Sequence, residues 1–226
     1  MTKGKIFVFC LFLATEALLV EAKDTLALPS PRYHGETSVE QALNSRKTVR
    51  KFKEEAIELE ELSQLLWAAG GGSFDGVTRA TRTYPSAGGI YPLGIYVVAG
   101  RVAEVDPGVY EYLWRDHALK PVKPGDFRSS LARAALLQVF IARAPVIIVI
   151  TADYRRTERK YGQRGSERYV PLDAGHASQS LHLQAAALHL ATATVGAFSD
   201  RGVKKILGLD GEEPLLIIPV GRPLHE

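Results

Sequence analysis

Residues 82–99 read RTYPSAGGIYPLGIYVVA. Pro85, Ser86, Ala87, Gly88 and Gly89 form a turn-rich cluster, and Ile95 to Ala99 reads as a buried strand. Pro fixes φ and Gly accepts left-handed backbone, so such a turn holds its amides still beside whatever lies against it. Two readings are open here: a cradle for a planar or anionic ligand, or a plain loop before a strand.

Upstream, Ser38 caps an expected helix with Glu40 and Gln41 in its first turn. It runs into Ser45-Arg46-Lys47-Thr48-Val49-Arg50-Lys51-Phe52, where cations and hydroxyls alternate with apolar residues. The segment suits a phosphate, because Arg forks bind phosphate bidentately and a hydroxyl adds a further hydrogen bond. It also suits a solvated helix end. Leu59 to Ala69 is an amphipathic helix stopped by Gly70-Gly71-Gly72, a flexible exit rather than a phosphate loop, since no strand precedes it.

Downstream, Val109–Leu113 and Leu119–Val122 read as a hairpin, Phe127–Ile141 as a helix, and Pro145–Ala152 (PVIIVITA) as a central strand buried on both faces. Asp153 to Arg168 is crowded with cations and reads as a solvated loop, a nucleic-acid patch being the alternative. A long, small-faced helix from Tyr169 or Val170 to Leu190 suits burial in a core or against another subunit. Its His176, His182 and His189 lack the i, i+4 spacing of a helical zinc pair. Ala193–Phe198 is expected as a strand, Asp200–Leu207 as a helix and Pro214–Val220 as a final strand.

The chain has 226 residues, enough for one domain with a sizeable core. A net charge of +3 does not mark a nucleic-acid binder. No zinc-type Cys/His spacing, P-loop or repeat is found, so no metal site is expected. Residues 1–22 read as a signal peptide: Lys3 and Lys5, apolar Ile6 to Ala14, then Val20-Glu21-Ala22 for cleavage. Glu16 breaks the apolar run, against a membrane span of about 20 apolar residues. An uncleaved amphipathic anchor is the alternative. Cleavage removes Cys10, the only cysteine, and leaves an exported chain without thiol chemistry. Residues 23–37, with Pro29 and Pro31, then form an extended arm ahead of a single domain over 38–226.

Arg-Lys-Thr-Val-Arg-Lys-Phe, Leu-Ser-Gln-Leu-Leu-Trp-Ala-Ala-Gly and Arg-Thr-Tyr-Pro-Ser-Ala-Gly-Gly-Ile-Tyr-Pro-Leu occur in this order. Lys160-Tyr161-Gly-x-Arg-Gly, Asp173-Ala-Gly-His176, Val195-Gly196-Ala197-Phe198 and Pro219-Val-Gly221 follow. Together they resemble the nitroreductase superfamily, in particular its SagB-type, azoline-oxidase-like branch, from about Ser38 to Pro223. The resemblance implies an α+β, three-layer fold with a mostly antiparallel central sheet flanked by helices. It also implies a homodimer with FMN at the interface and two-electron transfer to or from a small molecule or peptide-derived heterocycle. By the same resemblance, Arg46, Lys47, Thr48 and Arg50 fall on the motif for the flavin phosphate and ribityl chain, with Arg222 as a second phosphate ligand. Pro85, Ser86, Ala87, Gly88 and Gly89 fall along the ring, and Gly196 and Ala197 face it from the other side. Arg82 is a candidate for the ring or substrate side. Lys160 and Tyr161 resemble a pair that removes a substrate proton, a Tyr beside a cation being a workable general base.

The chain departs from the family pattern in several places. Asp173 stands where Glu is usual, Ser180 and His182 where Asn and Tyr are, and His189 and Ala191 where Gly residues are. Export would separate the enzyme from nicotinamide donors, which favours another reductant or an oxidase. Two alternatives follow: an exported flavin- or ligand-binding protein without turnover, and an NAD(P)H-dependent nitroreductase.

Overall fold

All seven residues of Val146–Ala152 are buried, as expected for a β-branched run covered on both faces. The computed structural model describes residues 25–75 and 79–225; the signal peptide expected at 1–22 lies outside them. The strands are β1 (Leu26–Ala27), β2 (Gly72–Asp75), β3 (Arg79–Arg82), β4 (Leu93–Ala99), β5 (Gly108–Leu113), β6 (Ala118–Pro124), β7 (Val146–Ala152), β8 (Ala191–Thr192) and β9 (Glu213–Gly221). The helices are α1 (Val39–Ser45), α2 (Leu59–Gly70), α3 (Arg128–Ala134), α4 (Phe140–Arg143), α5 (Tyr154–Tyr161), α6 (Val170–Ala187) and α7 (Asp200–Leu207).

Seven strands form one sheet in the order β1-β6-β5-β4-β7-β9-β8, and β2 pairs with β3 separately. Every pairing between these strands is antiparallel. Alternate side chains of β4 and β7 enter two cores. Ile95, Val97, Ile148 and Ile150 meet Leu62, Leu66, Ala177 and Leu181 of α2 and α6. Val98, Ile147 and Val149 meet Leu131, Ile141, Val203 and Leu207 of α3, α4 and α7. This helix–sheet–helix arrangement is the three-layer α+β architecture, and period-two alternation in the central strands produces it.

Three expected elements differ. Asp153–Arg168 is not a loop: Asp153 caps α5 through a hydrogen bond from Arg155 N–H, and a π-helical turn spans Gly165–Tyr169. Arg, Lys and Glu are good helix formers, and the charged face of α5 needs no apolar stripe. Phe127–Ile141 is two helices, because Leu136 and Leu137 take left-handed backbone (φ 56° and 61°). Of Ala193–Phe198, only Val195 bridges to the sheet, at Ile217; Gly196 and Ala197 offer little side chain to pack on a pleated face. The arm residue Leu28 is buried, and Pro29 O accepts a 2.5 Å hydrogen bond from Ser63 Oγ of α2. No helix among the described residues is long and apolar enough to cross a membrane.

Candidate functional site

The segment after α1 is held extended between two neighbours. On one side Thr48 bridges Thr192 of β8, and Val49 N–H donates to Thr192 O at 2.9 Å. On the other, Lys53 N–H donates to Arg222 O at 3.0 Å. These pairings, with the last turns of α6, enclose a cavity of about 820 Å³. Arg46, Lys47, Lys53, His182, His189 and Arg222 contribute to its lining, which contains no Asp or Glu. Lys and Arg side chains gathered there suit an anion by Coulombic attraction, although Lys53 Nζ and Arg222 Nε also lie 3.9 and 3.7 Å from Glu55.

Not every expected residue points there. Arg46, Lys47 and Arg222 line the cavity, whereas Thr48 serves the backbone bridge and the Arg50 guanidinium lies over the Phe140 ring at 5.7 Å. Arg222 is also engaged elsewhere, its Nη2 lying 3.1 Å from both carboxylate oxygens of Glu61. An incoming anion therefore competes with Glu61 for it.

From the sequence His182 stands out only as a polar helix residue without zinc spacing and as a departure from the family's Tyr; the fold adds its place on the cavity wall. His182 is buried, with Nδ1 and Nε2 each 2.5 Å from a hydroxyl, those of Thr192 and Thr194. Burial, reinforced by the Arg46 charge, pushes its pKa down to about 4. His182 is thus a neutral wall of the cavity at physiological pH. His189 follows α6 with φ 55°, the left-handed position where a helix usually stops at Gly.

The Pro85–Gly89 turn lies at the other end of α6. Asp173, in the first turn of that helix, accepts a 2.5 Å hydrogen bond from Ser86 Oγ, and Ala87 N–H approaches it at 3.4 Å. Ser86 Oγ in turn accepts from Tyr91 N–H at 2.9 Å. Burial raises the Asp173 pKa against the opposing pull of these donors. Gly88 and Gly89 both take positive φ (61° and 66°). A Cβ on Gly88 would lie 2.6 Å from Lys160 Nζ and closer still to Tyr161 Oη, so the expected proton-handling pair rests directly on the turn.

Gly196 has open space where a Cβ would sit, and Ala197 O accepts from Gln138 Nε2 at 3.1 Å. Thr194, bonded to His182, links this segment to the cavity. Arg82 is not on a ligand side. It is buried, donating to Gly70 O (2.7 Å) and Leu93 O (2.8 Å) and flanked by Tyr84 and Trp114. It closes the C-terminal end of α2 over the glycines expected to be a flexible exit. Among the described residues, no cluster of three His, Cys, Asp or Glu side chains is placed to hold a metal ion.

Known proteins are similar to this chain in sequence and in fold. A protein of Methanocaldococcus jannaschii named for the nitroreductases is 41% identical over 202 residues, covering 89% of this chain and 99% of its own. A Ralstonia eutropha crystal structure named likewise superposes with a TM-score of 0.76 at 28% identity, covering 91% of this chain and 92% of that one. A chain of the Escherichia coli microcin synthetase complex, solved with a truncated pro-microcin bound, shares the fold. Its TM-score is 0.66 at 23% identity, over 96% of this chain and 84% of its own. The profile of the Nitroreductase family matches residues 43–222, and this chain belongs to that family.

Proposed function

We propose that this nitroreductase-family oxidoreductase is FMN-dependent and belongs to the azoline-oxidase-like, SagB-type branch, acting on a small molecule or peptide-derived heterocycle. The observation that carries the reading is the cavity lined by Arg46 and Lys47, with no Asp or Glu in its lining, against the end of the helix whose first turn anchors the glycine turn. Asp173 and His182 are nine residues apart on α6, about 14 Å along its axis. That spacing suits a ligand with a phosphate at one end and a flat ring at the other.

When bound, FMN supplies two-electron chemistry at its ring N5. The chain supplies position and charge. Arg46 and Lys47 hold the phosphate dianion, with about 1.5–3 kcal/mol for each charged hydrogen bond, and Arg222 joins them on leaving Glu61. Asp173 and Ser86 fix the turn, so that the backbone lying along the ring is held in place and need not reorganise. Tyr161 Oη takes or returns a substrate proton beside the Lys160 ammonium, whose Nζ is 5.3 Å from the Tyr161 ring centre. Val39 and Leu43 on α1 and Leu172 on α6 are large, exposed apolar side chains. They support a homodimer across the α1–α6 face. We propose further that residues 1–22 act as an export signal, so that the enzyme works outside the cytoplasm with a donor other than a nicotinamide.

The names of the relatives favour a second reading, nitro reduction, for which NAD(P)H is the proposed donor. The visible spectrum of the purified protein separates the possibilities. Flavin bands that bleach with dithionite and recover in air support a cycling enzyme, and rapid bleaching by NADPH selects the nitroreductase reading. Bound flavin that never cycles leaves a carrier.

A further inference from the structure

The cations of α5 and the π-helical turn are not used by the phosphate cavity. Residues 153–169 hold six Lys or Arg (155, 156, 159, 160, 164 and 168) against three acids (153, 158 and 167). This segment alone carries an excess equal to the net charge of the whole chain. Two of the three acids are engaged, Asp153 by Arg155 and Glu167 by Gln163 Nε2.

The segment is fastened to the glycine turn. Arg156 Nη2 donates to Ile90 O at 3.0 Å, and Lys160 and Tyr161 rest on Gly88. Tyr161 and Tyr169 meet edge to face with centroids 5.0 Å apart, and Arg164 Nε donates to Tyr169 Oη at 3.1 Å. Gly165 makes the fold-back possible, since a Cβ there would lie 2.9 Å from Thr157 O. Arg164, Arg168, Gln163 and Glu167 line a second cavity of about 360 Å³. A π-helical turn costs hydrogen-bond geometry and recurs at functional sites.

The geometry points to a substrate class: the molecule that reacts at this turn carries an oxyanion, carboxylate or phosphate, on a flat unsaturated group. The oxyanion meets Lys160, Arg164 and Arg168. The flat group lies against the Tyr161–Tyr169 pair, where a ring edge and a cation are already in contact with aromatic faces. The inference rests on the reading of the glycine turn as the reaction platform.

Three ligands of one shape class test it: benzoate, phenyl phosphate and the neutral benzamide, titrated into the FMN-loaded protein and followed by the flavin absorbance. Benzoate or phenyl phosphate binds at least about 10-fold tighter than benzamide at low salt, and the advantage collapses near roughly 0.5 M salt as the charges are screened. Whichever anion binds tighter identifies the source, phosphate-bearing or carboxylate-bearing. In the Arg164→Gln/Arg168→Gln double variant the preference falls to about two-fold or less, while Lys120→Gln on the far sheet edge keeps it. Benzamide binding as tightly as both anions, or a double variant of unchanged melting temperature that keeps the preference, overturns the inference. A purified protein that takes up no FMN sinks the flavin reading instead. The same three titrations, followed by calorimetry and compared between wild type and the Arg164→Gln/Arg168→Gln variant, then still decide this one.

Discussion

Ser86 Oγ donates a 2.5 Å hydrogen bond to Asp173 Oδ2 across 87 residues of sequence. This contact joins the glycine turn to the helix that also walls the cationic cavity. Through it the two halves of the site are tied to one helix. Ser86→Ala leaves the buried Asp173 with only the long contact to Ala87 N–H. We expect a loss of about 1–3 kcal/mol in urea denaturation and a shifted flavin spectrum. An unchanged midpoint and spectrum would show that the contact orders nothing.

The adjacent glycines should respond differently to alanine. Both have positive φ, so each variant loses about 1 kcal/mol from backbone strain. At Gly89 nothing lies within 4 Å of the added Cβ, whereas at Gly88 it meets Lys160 and Tyr161. Gly88→Ala therefore displaces the proton-handling pair and depresses turnover well beyond Gly89→Ala. Equal effects on turnover would separate the pair from the turn.

Burial of His182 predicts an acid-side loss of stability. Its folded pKa of about 4 lies below the ordinary value of 6.5. Between these values the unfolded chain holds the extra proton, so stability falls as pH drops from about 6.5 towards 4. The loss is up to about 3 kcal/mol. His117, also lowered by burial, acts in the same direction. His182→Gln should flatten the slope of denaturation midpoint against pH in this window. A slope identical to wild type would assign the acid sensitivity elsewhere.

His189 occupies a left-handed position (φ 55°) at the end of α6 and lines the cavity. His189→Gly should stabilise the fold by about 1 kcal/mol while weakening FMN binding. Gain of stability without loss of affinity would mean that the strained histidine serves no ligand.

Much of this architecture was legible. The β-branched run of β7, the Ser38 cap and the hairpin of β5 and β6 follow from local chemistry that tertiary packing reinforces. The break at Leu136–Leu137 was not, because nothing in ARAALLQVFIAR is a helix breaker. Arg82 illustrates the limit at the site. An arginine beside a glycine-rich turn reads as a ligand contact, yet burial and two carbonyl acceptors make it a core residue. The cavity role of His182 was not legible, because its partners Thr192 and Thr194 lie beyond the end of its own helix. Only the fold brings them to Arg46.

The central claim is that the cationic cavity holds the phosphate of FMN. It is tested most directly by titrating FMN into the wild-type protein and the Arg46→Ala/Lys47→Ala variant, with ligand-free melting temperatures as the folding control. The account predicts one FMN per wild-type chain and at least about 100-fold weaker binding in a variant of unchanged melting temperature, from two lost charged contacts. A folded wild-type protein that takes up no FMN, or a variant that binds it as tightly as wild type, would contradict it.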